Sequence, residues 1–163
     1  MKHTFKEGYI NFCQICNSKK MIPVLDLGFQ PLADDLVTEK KKNLPSINYP
    51  IKIHLCKSCR LLQNSFIVGD NKLYNKNYHY RPGISKTVEQ NLFDLATKLI
   101  TLYDLDKKDL IVDIGCSDGT LLKCFKKLGF HNVVGVEPTN TAIFAKKKGI
   151  KVINEFFNRK SAY

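Results

Sequence analysis

Leu110-Ile-Val-Asp-Ile-Gly-Cys-Ser-Asp-Gly-Thr120 is the stretch that decides how the rest of the chain is read. Its first half is an apolar run bounded by Gly115, which predicts a buried strand. Its second half, with glycines at 115 and 119, is a turn that opens an amphipathic helix over 120–128, stopped by Gly129. A strand that runs through a glycine turn into a helix is how a parallel sheet brings backbone close to a nucleotide-like ligand, at the carboxyl edge of its strands. The rhythm then repeats: 132–136 reads as a strand, 139–148 as a helix stopped by Gly149, and 150–153 as a third strand. Strands alternating with helices predict parallel βαβ units and an α/β fold class with three parallel strands.

Toward the N-terminus the pattern changes. Residues 85–103 carry one apolar stripe, Val88, Leu92, Leu95, Ala96, Leu99 and Ile100, and predict a helix in which Thr87 and Gln90 could form a capping box. It follows the turn signal Arg81-Pro82-Gly83 and the aromatic run that includes Tyr78 and Tyr80. The segment up to about Asn64 has little helical periodicity and predicts a loop-and-strand module. Ile51-Lys-Ile-His-Leu55 alternates like a short strand ending at Cys56, and 61–63 is its antiparallel return.

This module carries Cys13-Gln-Ile-Cys16 and Cys56-Lys-Ser-Cys59. Two residues between cysteines let both sulfurs face one cation from a tight turn, and two such turns complete a tetrahedral sulfur cage, for which Zn2+ is the best-matched ion. A thioredoxin-like pair is disfavoured, because neither CxxC follows a strand and opens a helix. His54 could replace a sulfur, but four thiolates already fill the shell. Cys124 falls on the apolar stripe of its helix and reads as core; Cys116, in the glycine turn, reads as packing or backbone approach to a ligand.

The turn from Asp113 to Gly119 lacks the full GxGxxG spacing, so a pyrophosphate is not indicated. The second strand instead ends in Glu137, the position from which a carboxylate accepts ribose hydroxyls. A ribose acceptor without a phosphate cradle points to an adenosyl ligand that carries no phosphate, S-adenosylmethionine. Residues 115–119 also fit GxSxG, the nucleophile elbow of α/β-hydrolases. Chain order argues against it, since His131 is the sole later histidine and directly follows the first helix.

The 163 residues, 44% hydrophobic and 25% charged, have the composition of a globular protein rather than a disordered one. No apolar run approaches the roughly 20 residues needed to span a bilayer, and the first ten residues have no signal-peptide character. The expectation is a cytoplasmic protein with no membrane partner, where unpaired cysteines suit metal binding. The net charge of +11 is spread over small lysine clusters at 40–42, 107–108, 126–127 and 146–148, which reads as solvated surface rather than a nucleic-acid stripe. A zinc-ribbon module that binds nucleic acid remains the alternative from another functional class.

Taken together, these motifs resemble the S-adenosylmethionine-dependent C-methyltransferases of deoxysugar biosynthesis, which carry an N-terminal zinc-binding domain ahead of a Rossmann-like methyltransferase domain. The likeness rests on the two CxxC pairs, Val24-Leu-Asp-Leu-Gly-Phe-Gln-Pro-Leu-Ala33, Tyr49-Pro-Ile, Leu61-Leu-Gln63, Tyr78-x-Tyr80 with Ser85, Asp113 to Leu122, and Gly135-Val-Glu-Pro138. It implies a zinc domain over 1–70, a linker and helix over 71–108, and the first half of a Rossmann-like domain over 109–163. Cys13, Cys16, Cys56 and Cys59 would hold zinc. Asp113, Gly115, Cys116, Ser117, Asp118 and Gly119 would seat the methionine part of the cofactor, Glu137 and Pro138 the ribose end, with Tyr78, Tyr80 and Ser85 close by. Ser117 departs from the family, which often has Asn there.

Length is the larger departure. Family members are more than twice as long, and a complete sheet needs more strands than the three that fit here. The expected activity of the whole enzyme is methylation of a carbon beside a ketone on a nucleotide-linked sugar; a methyltransferase for another small-molecule acceptor is the nearest variant. The general acid/base residues would lie beyond this chain, in a C-terminal half that could be a separate chain, and the isolated polypeptide is expected to be inactive.

Overall fold

A computed structural model describes residues 6–33, 36–74 and 78–162, and the chain divides into two units, residues 1–73 and 74–163. In the first, β1 (Gly8–Tyr9) pairs antiparallel with β5 (Phe66–Ile67). A separate antiparallel sheet has the order β2 (Met21–Pro31), β3 (Asn48–Cys56), β4 (Leu62–Asn64), followed by a short helix, α1 (Asp70–Leu73). The predicted strand at 51–55 and its return are both present. The long edge strand β2 is not foreshadowed by alternation, because register shifts fall between Pro23 and Leu25 and between Asp26 and Phe29 and break the period of two. Pro23 and Pro31 are tolerated there since an edge strand has one row of amides without ladder partners. Gly28 adopts φ +68° within the second irregularity, and its amide donates to Asp26 Oδ1 at 2.9 Å. Among the described residues of this unit the buried hydrophobic ones are Cys13, Tyr49 and Cys56, a core far too small to hold a domain by itself.

The second unit begins with a 3-10 turn (Pro82–Ile84) and α2 (Lys86–Leu102), then alternates β6 (Ile111–Ile114), α3 (Thr120–Lys127), β7 (Val133–Val136), α4 (Ala142–Lys147) and β8 (Lys151–Ile153). The strands are parallel in the order β6-β7-β8, with Asp113 opposite Gly135 and Val136 opposite Ile153. The fold is therefore mixed α/β, a small cysteine-bearing strand-and-loop module followed by a helix and a partial Rossmann-like parallel sheet. Leu122, Cys124, Phe125, Phe130, Ala145 and Ile150 are buried together, and Ala96, Leu92 and Leu99 bring α2 onto this core. Phe125 and Phe130 meet edge to face at 6.0 Å.

Two helix starts differ from expectation. The cap of α2 is Ser85, whose Oγ accepts from the Val88 amide at 3.4 Å; Thr87 lies inside the first turn, past the position from which a side chain caps. The last helix begins at Ala142 rather than near 139, because the Thr139 amide donates to Glu137 and the Thr139 and Thr141 hydroxyls bond each other at 2.7 Å. These local bonds hold the backbone out of helical geometry. Among the described residues no helix is long and apolar enough to cross a membrane.

Candidate functional site

Each CxxC pair is shaped by the same local device. The Asn17 amide donates to Cys13 O and the Arg60 amide to Cys56 O, both at 2.9 Å, closing two matched turns. The residue after each pair is left-handed, Asn17 at φ +58° and Arg60 at +64°, which turns the chain back toward the amide of the first cysteine. The Cys13 amide donates to Ser18 O and the Cys56 amide to Leu61 O, so both turns are anchored alike. Long-range pairing of β2 with β3 then brings Met21 opposite Cys56 and sets the two turns face to face.

The four sulfurs lie within 4.8 Å of one another, with Cys13 Sγ 3.4 Å from Cys59 Sγ and Cys16 Sγ 3.6 Å from Cys56 Sγ. A tetrahedral ion with metal–sulfur bonds of about 2.3 Å separates its ligands by about 3.8 Å, so the cluster is of the size that zinc requires. The Cys16 amide is the main influence drawing the Cys13 thiol below its ordinary value. At Cys56 the amides of Cys59 and Ser58, working against burial, bring the thiol down to about 6. Both effects favour the thiolate that a metal requires, whereas Cys16 and Cys59 are pushed up, Cys59 to about 12, by burial and by thiol–thiol hydrogen bonds to their neighbours in the cluster. His54 is not part of the cluster.

The glycine turn in the second unit is equally specific. Gly115 and Cys116 both donate to Val136 O, at 2.8 and 3.1 Å, pinning the end of β6 to the end of β7. Gly115 (φ +84°) and Gly119 (φ +72°) take backbone conformations that other residues rarely adopt. Glu137 is 5% exposed and sits at the bend: its Oε2 accepts from the Ser117 amide at 2.9 Å, its Oε1 from the Thr139 amide at 2.8 Å. Burial, and secondarily the Glu137 charge, raise the Asp113 carboxyl. Burial, reinforced by Asp113 and Glu137, pushes the Cys116 thiol up to about 12, so it is protonated at neutral pH and unsuited to nucleophilic attack. The hydroxyl of Ser117 donates to Tyr80 O at 3.1 Å, which commits the proton that a hydrolase would pass to histidine.

Ser117 itself is left-handed, at φ +47°. Asn occupies that region more comfortably than Ser and retains a donor for Tyr80 O. Ser117→Asn is therefore expected to stabilise this unit by up to about 1 kcal/mol, read as a higher denaturant midpoint. A lower midpoint would show that the hydroxyl matters more than the strain.

Around the bend lies a cavity of about 660 Å3, within the range of small-molecule sites. Of the residues expected at a ligand, Tyr78, Tyr80, Asp113, Gly115, Cys116, Ser117, Glu137 and Pro138 line it. Asp118 and Gly119 lie behind it, and Ser85 is occupied as a helix cap. Sequence reasoning missed Phe156 and Phe157, which line the cavity just past β8. The usable signal was their position at the carboxyl end of a parallel strand, where such folds bind ligands.

Residues 13–74 match the model of a family described as "Putative zinc binding domain". Over a longer span, 145 residues, or 88% of the chain, align at 26% identity with the C-methyltransferase NovU of Streptomyces niveus. The chain spans about a third of that relative's length, 34%.

Proposed function

We propose that the second unit is the N-terminal portion of an S-adenosylmethionine-dependent C-methyltransferase domain, preceded in the chain by a structural zinc module, and that the acceptor is a nucleotide-linked keto-deoxysugar. The observation that carries the reading is Glu137 held at the glycine bend by the Ser117 amide. Each carboxylate oxygen of Glu137 accepts one backbone amide and keeps a further lone pair, so the pair can accept both hydroxyls of a ribose. Phe156 and Phe157 offer a flat apolar wall for a purine. Asp113, on the same cavity, can pair with the cationic end of the ligand. When bound, the cofactor supplies an electrophilic methyl group on sulfur; this chain's part is to bind and orient it and to exclude water.

The base that removes a proton beside the ketone is assigned to residues outside this chain, as the length of NovU allows, and the 163-residue polypeptide alone does not turn over. β6 supports that division. It is an edge strand of the described sheet, and Val112 and Ile114 are about half exposed along it, the condition in which a further strand is expected to pair. That strand belongs to a C-terminal half, continuous or as a second chain. The nucleic-acid alternative is weakened because several lysines are engaged internally: Lys52 with Asp26, Lys72 with Glu7, Lys123 and Lys127 with Glu89, and Lys148 with Asp118.

Calorimetric titration of the chain with S-adenosylhomocysteine tests this reading. Weak, saturable one-to-one binding is expected, reduced roughly tenfold or more in Glu137→Gln, because hydrogen bonds to a charged acceptor contribute about 1.5–3 kcal/mol. No heat at millimolar ligand, combined with salt-dependent binding to an oligonucleotide, would overturn it.

A further inference from the structure

Asp118 stands in the glycine turn yet faces away from the ligand side. It is 4% exposed. Its Oδ1 accepts from the Thr120 amide at 3.2 Å and the Thr120 hydroxyl at 2.6 Å. Its Oδ2 accepts from the Gly83 amide at 3.2 Å and lies 3.1 Å from Lys148 Nζ. Four donors fill both oxygens, leaving no acceptor for a ligand. The donors come from three places: the start of α3, the C-terminal end of α4, and the 3-10 turn ahead of α2. Lys148 closes the arrangement by also donating to Thr120 Oγ1 at 3.0 Å.

The chain at Gly83 approaches this carboxylate more closely than a side chain would permit. A Cβ there would lie 2.5 Å from Asp118 Oδ2 and would strike the Thr120 hydroxyl. One turn earlier, Tyr80 O receives the Ser117 hydroxyl, a second tie between the same two segments. The tied segment carries Tyr80 and Pro82 on the wall of the cavity, and Tyr78 lies just ahead of it on the same wall.

We propose that Asp118 and Lys148 form a latch that seats residues 80–84 on the glycine turn, so that the tyrosine wall of the cavity is in place before a ligand arrives. Both are positioning residues, not ligand groups. Removing a donor from a buried, fully satisfied carboxylate is costly even though the Lys148 side chain is a quarter exposed, so the segment stays shut in the ligand-free protein. Binding then does not have to order it, which raises affinity without any added contact. The ligand side of the inference rests on the adenosyl reading above; the latch itself does not.

The test uses the whole chain, with amide hydrogen exchange followed by NMR and S-adenosylhomocysteine affinity by calorimetry. Asp118→Asn risks unfolding the unit, so the working variants are Gly83→Ala, whose methyl lifts the segment, and Lys148→Met, which removes one arm of the pair. Both are expected to speed exchange at Gly83, Ile84 and Ser85 by about tenfold, to weaken ligand binding by a similar factor, and to leave β6–β8 amides protected. Lys148→Arg restores both readouts, and Ile84→Ala, at a side chain left exposed to solvent, changes neither. Unaltered exchange at 83–85, or sheet amides accelerating in step with them, overturns the latch. Faster exchange with unchanged affinity overturns its role in positioning. Should the unmodified chain fail to bind S-adenosylhomocysteine, the adenosyl reading falls, and the exchange measurements decide the latch alone.

Discussion

Stripping zinc from the loaded protein with a chelator is expected to unfold the first unit and leave the parallel-sheet unit folded. Among the described residues of the first unit, Cys13, Tyr49 and Cys56 are the buried hydrophobic ones, and two of these three belong to the four-thiol cluster proposed to hold the metal. Its exposed apolar residues include Val24, Leu25, Leu27 and Phe29 along β2, so burial on folding contributes little. Metal binding must fill that deficit, and in small zinc folds it contributes about 10–16 kcal/mol of apparent free energy. Cys13→Ser or Cys56→Ser should reproduce the effect, since each removes a ligand whose turn also positions its neighbour. The measurement is amide dispersion in NMR spectra alongside metal content. Protected β2–β3 amides in protein shown to be metal-free would refute the structural role.

The second large effect is expected at Gly119. This residue combines φ +72° with a crowded surround: an added Cβ would lie 2.6 Å from Ile150 Cδ1, 2.8 Å from Ala145 Cβ and 3.2 Å from Ala145 Cα. Ala145, on α4, has no rotamer to change and Ile150 is packed beside it in the core, so relief would have to come from the backbone of α4. Gly119→Ala therefore combines left-handed strain of roughly 1–2 kcal/mol with overpacking of about 1–3 kcal/mol. Total stabilities of domains are only about 5–15 kcal/mol, so loss of cooperative unfolding in the second unit is the expected result while the zinc unit stays intact. Gly115→Ala is the useful contrast. It shares the positive φ (+84°), but a Cβ there would meet only open space, so it should show the strain alone. Equal midpoints for the two variants would mean that crowding at Gly119 contributes nothing.

What could be read in advance was local. Two CxxC pairs predict a cage because two intervening residues suffice to aim both sulfurs, and the matched turns at Asn17 and Arg60 show that mechanism. The strand, turn and helix around Asp113–Thr120 were legible because the apolar run and the two glycines each impose their own backbone geometry. Glu137 could be placed because the register of adjacent parallel strands brings the end of β7 beside the end of β6. β2 escaped notice because prolines and register shifts erase alternation, and its pairing depends on a partner far along the chain. Phe156 and Phe157 escaped because the one signal they carry, a place just past β8, tells which end of the sheet they occupy and not that they face the cavity.

Spacing and periodicity along the chain thus determined the class of each segment: thiols in pairs, strands alternating with helices, glycines at one bend. The tertiary structure alone decided which side chains were already spoken for. Asp118 and Glu137 are both acids beside the same turn. Glu137 lines the cavity with one backbone amide accepted by each oxygen, whereas Asp118 is saturated by Thr120, Gly83 and Lys148. The difference comes from donors contributed by distant elements, and hydrogen-bond satisfaction is a property of three-dimensional neighbourhoods that no spacing along one stretch of sequence encodes.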